Sequence, residues 1–213
     1  MSLTLIIGNK NYSSWSLRGW LVTELSGAPY QEVTESLYRA GSRQRLLAHS
    51  PSGKVPVLKT AEDGVIWDSL AIAEYLAERF PEAHLWPRGQ AARALARSIC
   101  AEMHSGFVAL RSHMPMDMQR LTALADVPDE VAVDIRRICT LWADCRARYG
   151  QDGPFLFGHA SVADAFYAPV ASRLRSYAVA LPDEAAAYVD TIFQWSAFQR
   201  WHQAALQETE SNQ

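Results

Sequence analysis

Cysteine is scarce in this chain and is not arranged for chemistry. The three cysteines, Cys100, Cys139 and Cys145, form no Cys-x-x-Cys and have no histidines at zinc-ligand spacing. That pattern excludes a thiol–disulfide motif and gives no reason to propose a bound metal. Cys139 and Cys145 fall six apart within one expected helix, off the spacing that shares a face, so a bridge between them is disfavoured. All three read as small core residues of a cytoplasmic protein. Neither sign of charge dominates: the net charge of −3 gives no ground for a nucleic acid or an anionic membrane as partner. No apolar run approaches the ~20 residues of a membrane span. The start, Met1-Ser2-Leu3-Thr4-Leu5-Ile6-Ile7-Gly8, lacks a basic region and a small-residue cleavage site, and reads as a first strand. There is no internal repeat or low-complexity tract. What is abundant is apolar residue, 49% against 20% charged, enough in 213 residues for a core in one large or two small domains.

The first 80 residues mix strand and helix. Leu3–Ile7 is a short apolar run, followed by the polar turn Gly8-Asn9-Lys10-Asn11-Tyr12. Ser13 or Ser14 caps a helix to about Leu25, with Leu17, Trp20, Leu21 and Leu25 on one stripe, ended by Gly27-Ala28-Pro29. Tyr30–Leu37 alternates as a second strand, and the basic stretch Gly41–His49 suits a short helix. Val57–Lys59 and Val65–Trp67 flank the hairpin turn Ala61-Glu62-Asp63-Gly64, and Ser69–Phe80 is a helix stopped by Pro81. The order is β-α-β-α-β-β-α. Residues 81–90 read as a linker, and 91–213 carry no strand signal. Leu95, Ile99, Met103, Phe107 and Leu110 form one helical stripe; Val131, Ile135, Ile138, Trp142, Cys145 and Tyr149 form another, with Pro115–Pro128 between them. Ser161 and Asp164 have capping-box spacing, and Pro169 is expected to kink that helix or end its first part. A last helix, Ala185–Leu206, breaks near Trp195-Ser196, and Ser211-Asn212-Gln213 is expected to fray.

Two runs carry the functional signal. In Gly53-Lys54-Val55-Pro56-Val57-Leu58 a proline opens a strand; with a cis Val55–Pro56 bond, the Val55 N–H and C=O face outward and can pair with an extended peptide. In Trp67-Asp68-Ser69 an acid and a hydroxyl sit at a helix N-terminus, where free N–H groups attract a carboxylate. Taken singly, Pro56 is ordinary strand punctuation and Asp68 or Ser69 an ordinary cap. Taken together, they suit a small peptide bearing carboxylates.

The ordered set, including Asn11-Tyr12-Ser13-Ser14-Trp15-Ser16-Leu17-Arg18 after the first strand, Asp68-Ser69-Leu70-Ala71-Ile72 and the Ser161–Asp164 box, resembles the cytosolic glutathione transferases over nearly the whole chain. The serine-rich start is similar to that of bacterial serine-type, zeta-like members, and Glu102-Met103-His104-Ser105-Gly106-Phe107 to a bacterial subgroup. The resemblance implies a thioredoxin-like α/β domain (1–80), a linker (81–90) and an all-α domain (91–213) supplying the electrophile site. It also implies glutathione as co-substrate, a homodimer, and a transferase of detoxification. Residue by residue, Val55 with Pro56 would pair with the cysteinyl part of glutathione, and Asp68 and Ser69 would hold its γ-glutamyl end. Lys54, Arg43 or Arg45 could reach the glycyl carboxylate, although Arg43 and Arg45 singly suit a solvated surface better.

A free thiol of pKa ~8.5 is mostly protonated at neutral pH, so a hydroxyl must favour the thiolate. Ser13 fits the alignment in which Ser14 replaces the usual proline; Ser14 fits counting back from Arg18; Tyr12 is a third candidate. One serine serves as helix cap in any case, and Trp15 can wall the site, though an aromatic there is more commonly core. The electrophile is expected between the domains, against His104, Ser105, Phe107, Arg111 and Met114. His104 could act as acid or base, although a lone helical histidine is more often structural. Peroxide reduction, isomerisation and a non-catalytic binding module are the alternatives on this fold. Disulfide exchange is disfavoured because no cysteine lies near the expected thiol site.

Overall fold

The computed structural model describes residues 3–210, so the expectation for Ser211-Asn212-Gln213 lies outside the described residues. The chain begins β1 (Leu3–Ile7), α1 (Ser14–Ser26), β2 (Tyr30–Thr34), α2 (Ser42–His49), β3 (Val57–Thr60), β4 (Gly64–Trp67) and α3 (Ser69–Arg79). After a 3-10 turn at Pro81–Ala83 come α4 (Gln90–Ser105), α5 (Val108–His113), α6 (Asp129–Tyr149), α7 (Val162–Ser176), α8 (Asp183–Gln194) and α9 (Ser196–Leu206). Extended pairing past β4 is confined, among the described residues, to two isolated bridges, Phe155 with Gly158 and Phe157 with His159.

The four strands form one sheet in the order β2-β1-β3-β4. β1 runs parallel to β2 and antiparallel to β3, and β3 and β4 make a hairpin with Val57 opposite Trp67. Leu5, Ile6, Ile7, Val57 and Leu58 are all fully buried, because this sheet centre has cover on both faces. Helix α1 ends where Gly27 adopts φ 67 and returns its N–H to the Glu24 carbonyl. It packs on β1, α3, α7 and α9. The apolar stripe of Leu17 and Leu21 is therefore only part of its buried surface, which extends to Ser16, Arg18 and Thr23. Gly19 has a definite reason: a Cβ there would stand 2.7 Å from the Pro56 ring, so only glycine lets the Val55–Pro56 turn seat on α1.

Four local expectations are revised or narrowed. The second strand stops at Thr34 and not Leu37: the Glu35 N–H takes the Ile7 carbonyl at 2.8 Å, and β1 ends there, leaving no further partner. The stripe Leu95–Leu110 is not one helix; Gly106 is extended and Phe107 takes φ 53, so α5 starts in a new direction, with Asp134 Oδ2 accepting the Leu110 N–H at 3.0 Å. Of the two outcomes open at Pro169, the one that ends the helix is ruled out: α7 continues to Ser176, because it is buried along its length by contacts from α1, α4 and α8. Cys139 is only half-buried, whereas Cys100 and Cys145 are buried; all three are free thiols. The break between α8 and α9 falls at Trp195, as expected.

The start of α7 is held by one buried carboxylate. Asp164 accepts the N–H groups of Leu156 (3.1 Å) and Ser161 (2.9 Å) and the hydroxyls of Ser161 (3.0 Å) and Tyr188 (2.9 Å). Burial pushes its pKa up from the ordinary 3.8 to about 6, against the opposing pull of these donors. A folded pKa above the unfolded one means that the folded chain binds the extra proton between the two values. This contribution to stability is therefore fully present below about 3.8 and is lost as pH rises through about 6. Urea denaturation of wild type and Asp164→Asn across that range should show wild type losing stability relative to the variant as pH rises; parallel curves would assign the titration elsewhere. Asp164→Ala, which leaves buried N–H and hydroxyl groups without acceptors, should cost about 3 kcal/mol or more.

Candidate functional site

Two turns and two helix starts meet at a cavity of about 830 Å³ lined by Ser13, Trp15, Leu37, Leu46, Ser52, Gly53, Lys54, Val55, Pro56, Trp67, Asp68, Ser69, His104 and Arg111. The Val55–Pro56 peptide bond is cis, and no backbone partner takes the Val55 N–H or C=O among the described residues. That strand-like edge is available to a peptide.

At the start of α3, Asp68 is the cap, and its Oδ1 accepts the Leu70 N–H at 2.8 Å. It holds φ 76 with ψ 133, outside the left-handed helical region, so the backbone is strained here. The adjacent Ser69 is fully buried, and its hydroxyl has no partner among the described residues although it belongs to a cavity-lining residue. Buried hydroxyls are nearly always bonded, so an unpartnered one beside free helix N–H groups marks a place for an acceptor.

At the start of α1, Ser13 is the cap: its Oγ accepts the Ser16 N–H at 3.3 Å and donates to Ser16 Oγ at 2.8 Å. Ser16 Oγ in turn accepts the Gly8 N–H at 2.9 Å. Ser13 shares the large cavity with Pro56, Asp68 and Ser69, whereas Tyr12 and Ser14 line an adjoining cavity of about 430 Å³. That second cavity also holds Ser13, Trp15, Leu37, Tyr38, Val108, Arg111, Ser112, Pro115 and Arg173.

His104 reaches from α4 across the large cavity to Asp68, with Nε2 at 3.2 Å from Oδ2. Burial lowers its pKa, with Arg18 and Arg111 adding to the effect and Asp68 opposing it. The neutral ring carries its proton on Nε2 to serve this contact, leaving the buried Nδ1 without a partner among the described residues. Lys54 is exposed at the rim. Arg45 is not at the site: it is tied to Glu35 at 3.1 Å and to the Ala40 and Ser36 carbonyls. Phe107 and Met114 are core residues that line neither cavity, and the Ser105 hydroxyl is spent on the Ala101 carbonyl at 2.9 Å.

The sequence reading named Arg111 on the electrophile side but did not anticipate Arg18 and Arg173, which join it near Trp15. The guanidinium groups of Arg18 and Arg111 lie 4.5 and 4.9 Å from its ring centroid, and Arg18 is 5.2 Å from that of Phe166. Arg173, buried on α7, donates Nε to the Met114 carbonyl at 2.8 Å and leaves Nη1 unpartnered. Arg18 leaves Nε and Nη1 unpartnered. No ion pair among the described residues joins any of the three to a carboxylate. Burial, then the neighbouring Arg173 and Arg111 charges, push Arg18 down to about 9; burial and Arg111 push Arg173 to about 10. Both remain cations at neutral pH. No group of three His, Cys, Asp or Glu side chains able to hold a metal occurs among the described residues, and no described helix is long and apolar enough to cross a membrane.

The chain's likenesses to known proteins lie in its first part and in the fold as a whole. Residues 12–79 match the family described as the glutathione S-transferase N-terminal domain. Over those residues the chain is similar to that family. A maleylacetoacetate isomerase of Pseudomonas aeruginosa is 36% identical over 92 residues, 42% of this chain and 43% of that protein; the match therefore spans less than half the length of the curated relative. Over the whole fold, the solved maleylacetoacetate isomerase of Anaeromyxobacter dehalogenans, with glutathione in its active site, superposes with a TM-score of 0.68 at 26% identity, covering 99% of this chain and 98% of that one. A bacterial zeta-class maleyl pyruvate isomerase superposes with a TM-score of 0.72, covering 99% and 100%; at 21% identity this likeness is one of fold.

The Asp68 cap can be tested without any ligand. Asp68→Ala loses the acceptor for the Leu70 N–H and places alanine at positive φ, so it should cost about 1–2 kcal/mol in urea denaturation. Asp68→Asn keeps an acceptor and the shape of the side chain, and should stay within about 0.5 kcal/mol of wild type. Equal losses in both would mean that the charge, not the cap, holds this end of α3.

Proposed function

We propose that this protein is a glutathione-dependent enzyme that lowers the pKa of the glutathione thiol and adds the thiolate to a small electrophile. The observation that carries the proposal is the convergence on one cavity of the free Val55 backbone edge, Asp68, the unpartnered Ser69 hydroxyl and the Ser13 hydroxyl at the start of α1. In this reading residues 1–80 bind glutathione, 81–90 join the two parts, and 91–213 supply the acceptor side. Val55 pairs with the cysteinyl backbone, Asp68 takes the α-ammonium, and Ser69 with the α3 N-terminus takes the γ-glutamyl carboxylate. Lys54 meets the glycyl carboxylate. The Ser13 hydroxyl turns from Ser16 to donate to sulfur, and the α1 N-terminus adds its positive end to the stabilisation of the thiolate. Homodimerisation and a cytoplasmic setting accompany this reading through the resemblance.

A specific observation favours an acceptor that carries an anion. Arg111 lines both cavities and Arg173 the second, and neither has a carboxylate partner among the described residues. The curated relative and the 26%-identical solved neighbour, both named maleylacetoacetate isomerases, point the same way, since a maleyl group ends in a carboxylate. With such an acceptor the thiolate forms a carbon–sulfur bond at one alkene carbon, and the π pair moves into the conjugated carbonyl. The adduct is then protonated and released as a thioether, or it collapses after rotation and expels the thiolate, which amounts to isomerisation. Either outcome uses the same Ser13, Asp68 and arginine groups.

Titration with glutathione by calorimetry, with thiolate absorbance followed against pH, tests the central claim. Saturable binding with a bound thiol pKa at least one unit below the free ~8.5 is expected. Binding without a shift would support a non-catalytic glutathione module, and no binding at millimolar glutathione would remove the proposal. Ser13→Ala should raise the bound thiol pKa by about one unit and lower turnover at neutral pH about tenfold, while Ser14→Ala does less. A larger effect in Ser14→Ala would transfer the role to Ser14. Arg111→Ala should lower kcat/KM about tenfold or more for a carboxylate-bearing acceptor, and no more than about twofold for a neutral one.

A further inference from the structure

The loop between β1 and α1, which delivers Ser13 to the cavity, is held by a segment from the other end of the described chain. Lys10 and Asn11 turn consecutive backbone N–H groups onto one carboxylate, Glu208, at 2.6 Å to Oε1 and 2.9 Å to Oε2. Trp201 Nε1 takes the Lys10 carbonyl at 3.0 Å. The segment is itself anchored by Gln119, whose Nε2 donates to the Ala205 and Glu208 carbonyls at 3.0 and 2.8 Å. A carboxylate accepting two adjacent N–H groups is short, charge-assisted and fixed in direction. It satisfies two donors that fall between the β1 ladder and the first turn of α1, where no regular partner exists. The loop then passes the constraint on directly, since the Ser13 N–H donates to the Asn9 carbonyl at 2.9 Å. Neither Glu208 nor Gln119 lines either cavity.

We propose that Glu208 is a positioning residue for the thiol-activating hydroxyl, setting through the Lys10–Asn11 backbone where Ser13 stands relative to the glutathione sulfur. This deepens, and rests on, the reading of the cavity as a glutathione site. Two ways for Glu208 to matter have opposite signs. As an anion acting through its field it would disfavour the thiolate, and removing its charge would lower the bound thiol pKa. As a clasp on the loop it favours the thiolate, and loosening it raises that pKa.

Two variants test the proposal. Glu208→Gln keeps the size of the side chain but replaces one acceptor with an amide NH₂ that faces a backbone donor. Gln119→Ala leaves the Glu208 charge in place and removes the anchor of its segment, so the proposal stays testable if one variant folds poorly. Amide hydrogen exchange at Lys10 and Asn11 reads the clasp with no ligand present; thiolate absorbance against pH and calorimetry read the bound glutathione. The expected result in both variants is exchange faster by about tenfold or more, a bound thiol pKa raised by about half a unit to one unit, and a glutathione Kd within about threefold of wild type. Faster exchange with an unchanged or lowered thiol pKa would overturn the positioning role and leave the glutathione reading intact. A wild-type protein that binds glutathione with no lowered thiol pKa, or does not bind it, would overturn that reading and this proposal with it.

Discussion

Helix α1 is enclosed by the sheet, α3, α7 and α9, and the geometry of the site depends on that enclosure. A helix in contact on so many sides has one seat. Its N-cap serine, its Trp15 and its Arg18 are therefore fixed relative to both the α/β part and the helical part. Gly19 sets the depth at which the cis Val55–Pro56 turn rests on it, and this brings the Val55 edge and Ser13 to the same cavity. Moving α1 would displace the linings of both cavities together.

The electrostatics follow from the same packing. Arg18 and Arg173 would be costly to bury without partners, and they are tolerated through ring faces and a backbone carbonyl in place of carboxylates. Arg18 lies against Trp15 and Phe166, and Arg173 donates to the Met114 carbonyl. A region built this way keeps donors unspent. Asp68, by contrast, divides its two oxygens between the Leu70 N–H and His104, so an incoming ammonium would meet a carboxylate already held in direction. The large cavity thus presents an acid and a hydroxyl, and the adjoining one Arg111 and Arg173, with Trp15 lining both.

Much of this was legible along the chain because it depends on local rules. The Ser161–Asp164 box, the Asp68 cap, the Gly27 stop and the hairpin around Ala61–Gly64 each follow from side chains within a few residues of the backbone they serve. The order of those elements, with Val-Pro ahead of β3, was enough to expect the β-α-β-α-β-β-α start and the helices after it. Where the reading slipped or left two outcomes open, a distant contact had decided the matter. β2 ended early because its neighbour β1 ended, Pro169 stayed within α7 because three helices press on it, and the stripe through Phe107 broke because α5 turns to meet Asp134 on α6.

The sequence by itself therefore determined which segments are strands and helices, where most of them start and stop, and which residues stand at the two helix N-termini, since period, cap and turn chemistry act over one or two turns of chain. Only the tertiary structure decided which of those residues face one another. It put Ser13 in the large cavity and Ser14 in the adjoining one, set His104 against Asp68, drew Arg18, Arg111 and Arg173 around Trp15, and laid Glu208 on the Lys10–Asn11 backbone. These pairings join residues from separate elements with no shared period, and they exist only because burying α1 forces those elements into a single arrangement.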